Sequence, residues 1–247
     1  MKRIKFLNCN LDLLTMEETV KYIDDKIQKN TFIQQVVINV AKLVNLQNDK
    51  ELFKSVNDSH LINIDGMGVI YGAKFLNLGI KKEHKVSGID LFFNLLQLSE
   101  KKNYKVFLLG ATDEVINSTY SKLKFEYPKL DIVGFHNGFF WEKEEEVVTK
   151  IKNSAAQLLF VAITSPKKEN FINKWKKALN VNFVMGVGGT FDIVSGKTKR
   201  APLWMQNSGL EWFYRIIQEP KRMWKRYLIT NSIYLYLIFK EKLKKKF

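Results

Sequence analysis

Leu61-Ile-Asn-Ile-Asp65-Gly-Met-Gly68 carries the reading that decides the fold: a short apolar run ends on a carboxylate and then meets two glycines. Runs of the same kind recur at Gln35–Val40, Lys105–Leu109, Asp131–Phe135, Leu158–Ile163 and Asn182–Val187. Segments of helical pattern lie between them. Thr15-Met-Glu-Glu18 has the form of a capping box and predicts a helix to about Gln28. Ser87 and Gly88 precede a helical stretch, Ile89–Glu100, and Thr112 precedes another that ends before Pro128. In Pro166–Leu179 an apolar stripe of Phe171, Trp175 and Leu179 opposes a lysine-rich face. Strands alternating with helices of about 10 to 15 residues predict an α/β fold, a Rossmann-like, mainly parallel sheet flanked by helices. In such sheets ligands bind beyond the carboxyl ends of the strands, where Asp65 is placed.

The chain of 247 residues is long enough for one large domain with a substantial core, and 46% apolar with 26% charged residues excludes a disordered chain. Its formal net charge of +15 is uneven. From Lys197 onward there are 13 basic and 3 acidic residues, a net +10, leaving only +5 for the first 196. The expected organisation is therefore an α/β body at residues 1–196 and a basic, helical, aromatic-rich appendage at 197–247. Such a tail implies an anionic partner: nucleic acid, acidic lipid or a phosphorylated substrate. Cys9 is the single cysteine, which excludes an internal disulfide and a thiolate zinc cluster. Met1–Leu7 starts like a signal peptide, but Asn8, Asn10 and Asp12 interrupt the apolar run. Leu228–Phe239 is the longest apolar stretch, at 12 residues, against the roughly 20 needed to span a bilayer. A cytoplasmic protein without a membrane span is expected.

Four constellations bear chemistry. At Asp65 a carboxylate at a strand end can serve as a general base, and glycine lets a substrate approach closely; Asp-Gly is also an ordinary turn. In Met185-Gly-Val-Gly-Gly-Thr-Phe-Asp192, backbone N–H groups at Gly188, Gly189 and Thr190 can face a phosphate, with Leu109-Gly110-Ala-Thr112 a weaker analogue. Neither matches a dinucleotide or Walker fingerprint. In Thr164-Ser-Pro-Lys-Lys-Glu169, Pro166 suits a first helical position. Lys167 and Lys168 then oppose the helix dipole, so either an anion offsets them or they are a solvated pair. In the tail, a wheel of about 100° per residue aligns Arg215, Arg222 and Arg226 in one cationic stripe beside Trp212, Ile216, Met223 and Tyr227. That is a membrane-surface pattern, or a helix packed on the body with its charges in water. Pro220 interrupts the alignment. There is no Asp-x-Asp pair, and His60, His84 and His136 are scattered.

An ordered series of segments is similar to the WecG/TagA/CpsF family of bacterial glycosyltransferases, from about Val36 to Tyr227. It comprises Asn39-Val-Ala, Asn63-Ile-Asp65-Gly-Met-Gly, Lys85-Val-Ser-Gly-Ile-Asp90, Val106-Phe-Leu-Leu-Gly110 and Gly134 through Gly138-Phe-Phe. It continues with Pro166-Lys-Lys-Glu169, Gly186-Val-Gly-Gly-Thr-Phe-Asp192, Arg200-Ala-Pro, Gly209-Leu-Glu-Trp through Arg215, and Glu219-Pro-Lys-Arg222. The resemblance implies inverting, metal-independent transfer of N-acetylmannosamine or a related hexose from a UDP-sugar to a polyprenyl-diphosphate-linked saccharide. The setting would be cell-surface polysaccharide or teichoic acid synthesis at the inner membrane face. It implies Asp65 as base, and an arginine-rich appendage that closes over the nucleotide and touches membrane. The expected substrate-binding set is Asn39, Gly66, Lys85, Asp90, Gly110, Lys168, Glu169, Gly188, Gly189, Asp192, Arg200, Arg215 and Arg222, with no cofactor or metal and no nucleic acid. A homo-oligomer is compatible with it. Ile38, Lys85 and Lys168 stand where the family often has threonine, arginine and glutamine. An RNA-binding or RNA-modifying basic α/β protein is the alternative reading.

Overall fold

A computed structural model describes residues 1–244, with the side chain of Arg222 outside the description. The chain opens with an antiparallel hairpin, β1 (Arg3–Phe6) and β2 (Cys9–Asp12). Leu7 and Asn8 make its turn at positive φ, so the polar residues after Leu7 serve a hairpin. Asp12 is fully buried; it takes a bidentate pair from Arg3 at 2.7 and 2.8 Å and accepts from Ile62 N, which staples the hairpin to the sheet. There follow α1 (Met16–Gln28), β3 (Ile33–Ile38), α2 (Val40–Asn45), α3 (Lys50–Asn57), β4 (Leu61–Ile64) and α4 (Met67–Phe75). Next come α5 (Gly88–Lys102), β5 (Val106–Gly110), α6 (Asp113–Glu126), β6 (Ile132–His136), α7 (Glu144–Asn153), β7 (Leu158–Ala162), α8 (Lys167–Trp175) and β8 (Phe183–Gly186). The short α9 (Thr190–Val194), then α10 (Leu203–Ser208), α11 (Glu211–Gln218) and α12 (Pro220–Lys244), complete the described chain.

Strands β3 to β8 form one parallel sheet in the order β4-β3-β8-β7-β5-β6, flanked by helices, as the alternating pattern predicts. β3, β4, β5 and β7 are buried along their whole length, the mark of strands covered on both faces. From β3 the chain steps outward to β4, whereas β5 to β8 build the other side. The switch point therefore falls between β3 and β8, where their carboxyl ends open a crevice.

Local chemistry sets the boundaries. The Thr15–Glu18 capping box forms with both reciprocal bonds, at 2.8 and 3.2 Å, and Thr112 caps α6. Two expectations shift. The strand read as Gln35–Val40 runs two residues earlier and stops at Ile38, because Asn39 caps α2 by accepting from Lys42 N at 3.0 Å. The helix read as Pro166–Leu179 closes at Trp175, with Pro166 as its N-cap instead of its first helical residue.

In the tail the interruption expected at Pro220 is present and divides the arginine stripe. Arg215 lies on α11 while Arg222 and Arg226 lie on α12, which Pro220 begins anew, so one continuous helical stripe through the three does not exist. Met223, Tyr234 and Ile238 of α12 are buried, the last two within a cluster built from β1, β2, α2, α3 and α4. Trp212, Phe213, Ile217, Trp224, Leu228, Leu235, Tyr236 and Phe239 remain exposed. Lys245 and Lys246 lie outside the described residues.

Candidate active site

The carboxyl ends of the sheet gather the charged groups. Asp65 directly follows β4, its N–H bonded to Ile38 O at 2.8 Å. Gly66 then takes φ +93°, a left-handed turn that glycine accommodates, and the space a Cβ would occupy there is open. Gly68, read as a second point of substrate approach, serves packing instead: a Cβ there would meet Val40 Cγ2 at 2.6 Å. The Asp65 side chain is half-buried. Burial, then the Glu211 carboxylate, push its carboxyl up to about 6 against the pull of Arg215, Lys85 and Lys42. Two of those partners come from α11, so the tail reaches the strand end.

Lys85 is held beside Asp65 by a parallel bridge between its backbone and Ile64. Its ammonium lies 3.9 Å from Glu211 and 3.5 Å from the Gln206 carbonyl of α10. Arg200 forms a fork on Asp90 at 2.6 and 2.8 Å. Two expected ligand contacts are thus an ion pair with each other, one that leaves Arg200 Nε without a protein partner. Ser165 Oγ, in the loop after β7, is likewise a buried polar atom without a protein partner among the described residues. Buried polar groups are normally satisfied, so atoms like these at a sheet's ligand edge fit a site that accepts polar groups.

Below the crevice lies a buried cluster of charge. Glu169 Oε1 receives Lys42 Nζ at 2.7 Å and Lys168 Nζ at 3.0 Å, and Lys42 also donates to Val37 O. The Lys42 and Glu169 side chains are 6% and 3% exposed, too buried to be a surface pair. Lys168 therefore has its anion within the protein, in Glu169, while Lys167 is exposed and sits over the Trp141 ring at 4.9 Å. Against burial, Lys42 and Lys168 hold Glu169 down at about 2. Burial, then Lys42, push Lys168 down to about 8, with Glu169 opposing and Arg226 assisting. Two ammonium groups on one carboxylate leave a surplus positive charge under the β8 end. Gly186 makes that possible, since a Cβ there would meet Lys168 Cδ and Cε at 2.6 Å.

The glycine turn follows β8. Gly188 adopts φ +55° with open space at its Cβ position, and Gly189 is the N-cap of α9. Thr190 donates to Val187 O at 2.7 Å and braces the turn. Asp192 lies in the first turn of α9, 4.0 Å from Lys197. Gly110 serves packing: the space its missing Cβ leaves is taken by the Ala162 carbonyl of the neighbouring strand. Asn39 spends its side-chain oxygen on the α2 cap. The Arg222 side chain lies outside the described residues.

Lys42 and Glu211 were not among the site residues expected from sequence. Lys42 occupies the third helical position behind the Asn39 cap, and Glu211, within the segment Gly209-Leu-Glu-Trp, opens α11. A cleft of about 700 Å³ lined by Asn30, Phe32, Asp58, His60, Lys176 and Asn182 lies at the opposite end, where β3, β4 and β8 begin. Its carboxylate, Asp58, pairs locally with Lys54 and Lys176. The converging cations and the raised carboxyl belong to the carboxyl end.

The model of the glycosyl transferase WecG/TagA/CpsF family matches residues 4–247. The chain belongs to this family. It is 33% identical over 246 residues to the N-acetylglucosaminyldiphosphoundecaprenol N-acetyl-β-D-mannosaminyltransferase of Bacillus subtilis (strain 168), covering 99% of this chain and 92% of that one. A Bacillus spizizenii protein of the same name is 36% identical over 164 residues, 66% of this chain and 62% of its own. This WecG/TagA/CpsF member is a glycosyltransferase. Among the described residues no helix is long and apolar enough to cross a membrane.

Proposed function

We propose that this enzyme transfers N-acetylmannosamine, or a closely related hexose, from a UDP-sugar to a saccharide carried on polyprenyl diphosphate, in the synthesis of a cell-wall polymer. The names of both Bacillus relatives supply the sugar and the lipid-diphosphate acceptor. The observation that carries the mechanism is the half-buried Asp65 at a strand's carboxyl end, with its carboxyl near 6 and cations around it. Asp65 takes the proton of the acceptor hydroxyl. The freed oxygen attacks the anomeric carbon, the bond from that carbon to the diphosphate breaks, and UDP leaves with the electron pair, so configuration inverts in one step.

The departing diphosphate gathers negative charge, which fixed cations and N–H groups stabilise in place of a metal. Arg215 and Lys85 are the cations that pull most strongly on Asp65; Lys168 with Lys42 lies beneath the crevice; Arg200, Arg222 and the Gly188–Gly189 turn complete the supply. Gly66 leaves the approach to Asp65 open. Asn39, Gly110, Asp90, Glu169 and Asp192 then act mainly by holding these groups in place. The exposed aromatic and aliphatic side chains of α11 and α12, interleaved with Lys221, Lys225, Arg226 and Lys240, rest on the anionic inner face of the membrane that holds the acceptor.

Incubation with lipid-diphosphate-linked N-acetylglucosamine and a panel of UDP-sugars tests this reading. UDP release with a β-linked disaccharide product from UDP-N-acetylmannosamine is expected. Failure of every UDP-sugar, with turnover of another nucleotide's sugar, would overturn the donor assignment.

A further inference from the structure

The C-terminal helix meets the body at a notch beside the catalytic turn. Tyr234 of α12 is 6% exposed and donates its hydroxyl to the Gly68 carbonyl at 3.0 Å. Its oxygen fills the space where Gly72 lacks a Cβ, with Ile238 Cδ1 3.0 Å from the same point. The Phe6 ring stands edge-on at 6.5 Å. Gly68 and Gly72 are one turn apart on α4, which begins two residues after Asp65. The α10–α11 corner rests on the same helix start: a Cβ on Gly209 would meet Met67 Cβ at 2.7 Å. Trp212 of α11 packs on Tyr227 of α12 at 5.8 Å. The tail thus straddles the residues that follow Asp65, gripping Met67 with one corner and Gly68 and Gly72 with Tyr234.

We propose that Tyr234 is a positioning residue that latches α12 into the Gly68–Gly72 notch and so holds α11, with Glu211 and Arg215, closed over Asp65. This rests on the reading of Asp65 as the base. A hydroxyl buried among apolar side chains is costly unless bonded, and phenylalanine would fill the apolar part of the site as well, so the bond is the reason for tyrosine. Burial pushes the Tyr234 phenol above its ordinary range, so it stays a donor. The charged groups acting on Asp65 are Glu211 and Arg215 from α11, Lys85 from the segment before α5, Lys42 from α2, and Arg200 from the segment before α10. Lifting α11 rehydrates Asp65 and withdraws Glu211, the two largest causes of its raised carboxyl, along with the opposing Arg215. The carboxyl then returns toward its ordinary 3.8.

The test uses full-length Tyr234→Phe, Gly72→Ala and the double variant. Tyr234→Phe should lower kcat/KM about fivefold, the scale of one buried hydrogen bond. The acid limb of its pH–rate profile should move below pH 6, which lost stability alone would not produce. Gly72→Ala should lose more, and adding Tyr234→Phe should recover part of that loss, because the colliding oxygen is gone. Hydrogen exchange, which needs no substrate, should show the amides of α12 and of the first turns of α4 opening together in Tyr234→Phe. Unchanged kcat/KM, a fall in activity with the acid limb unmoved, or exchange that rises in α12 alone would each overturn the latch. If the wild-type enzyme turns over no UDP-sugar, the functional reading fails, and the exchange experiment still decides the latch.

Discussion

Replacing Glu169 by glutamine takes the shared carboxylate away from two buried ammonium groups. Lys42 at 2.7 Å and Lys168 at 3.0 Å hold the Glu169 carboxyl from its ordinary 4.5 down to about 2. Each pKa unit is worth about 1.4 kcal/mol, so ionised Glu169 contributes about 3 kcal/mol to folding. The sign follows from the lowered value: the contribution is complete above pH 4.5 and drains away as pH falls through about 2. Breaking one side of a buried pair costs about 3–5 kcal/mol, because the partner charge is stranded. Lys168, already pushed down to about 8, sheds its proton more readily without Glu169, which keeps the cost toward the lower end. Urea unfolding of wild type and Glu169→Gln across pH 2–7 measures this. The stability difference should be about 3 kcal/mol at pH 7 and should shrink steadily between pH 4.5 and 2. A difference under about 1 kcal/mol at pH 7, or one unchanged across the range, would refute the buried triad.

Gly186→Ala drives a methyl into the Lys168 stem, 2.6 Å away. It should destabilise by about 1–3 kcal/mol in urea and weaken UDP binding measured by calorimetry. Transfer assayed in excess EDTA should keep its full rate if fixed cations stabilise the leaving group; loss restored by manganese would contradict that. Trp224→Glu with Leu228→Glu, both on exposed positions of α12, should abolish flotation with anionic vesicles and leave turnover of a soluble acceptor analogue within about twofold.

The sheet was legible because a doubly covered strand is a short apolar run whatever surrounds it, and because Thr15–Glu18 and Thr112 announce their helices locally. The end of β3 was hidden: Val36, Val37 and Val40 make one apolar run, and the cap that divides it is a single side-chain bond from Asn39. α4 escaped notice because Met67, Val69, Ile70, Gly72 and Ala73 are all buried, leaving no amphipathic signature. At the candidate site, the place of Asp65 just past a strand end and beside glycine was readable. Lys42 and Glu211 were not, since each meets Asp65 or Glu169 only after segments far apart in sequence have packed. The break at Pro220 was legible, since proline cannot continue a helix, but how the two helices it separates pack on the body depends on contacts far away in sequence.

The most direct test of Asp65 as the base is the pH dependence of kcat/KM for the wild-type enzyme and Asp65→Asn, with UDP affinity measured alongside. Transfer by the wild type should fall tenfold per unit below pH about 6, as the carboxyl protonates. Asp65→Asn should lose at least about 100-fold with no such limb, while binding UDP as before. An asparagine variant that transfers at the wild-type rate, or one that keeps the same acid limb, would contradict the assignment.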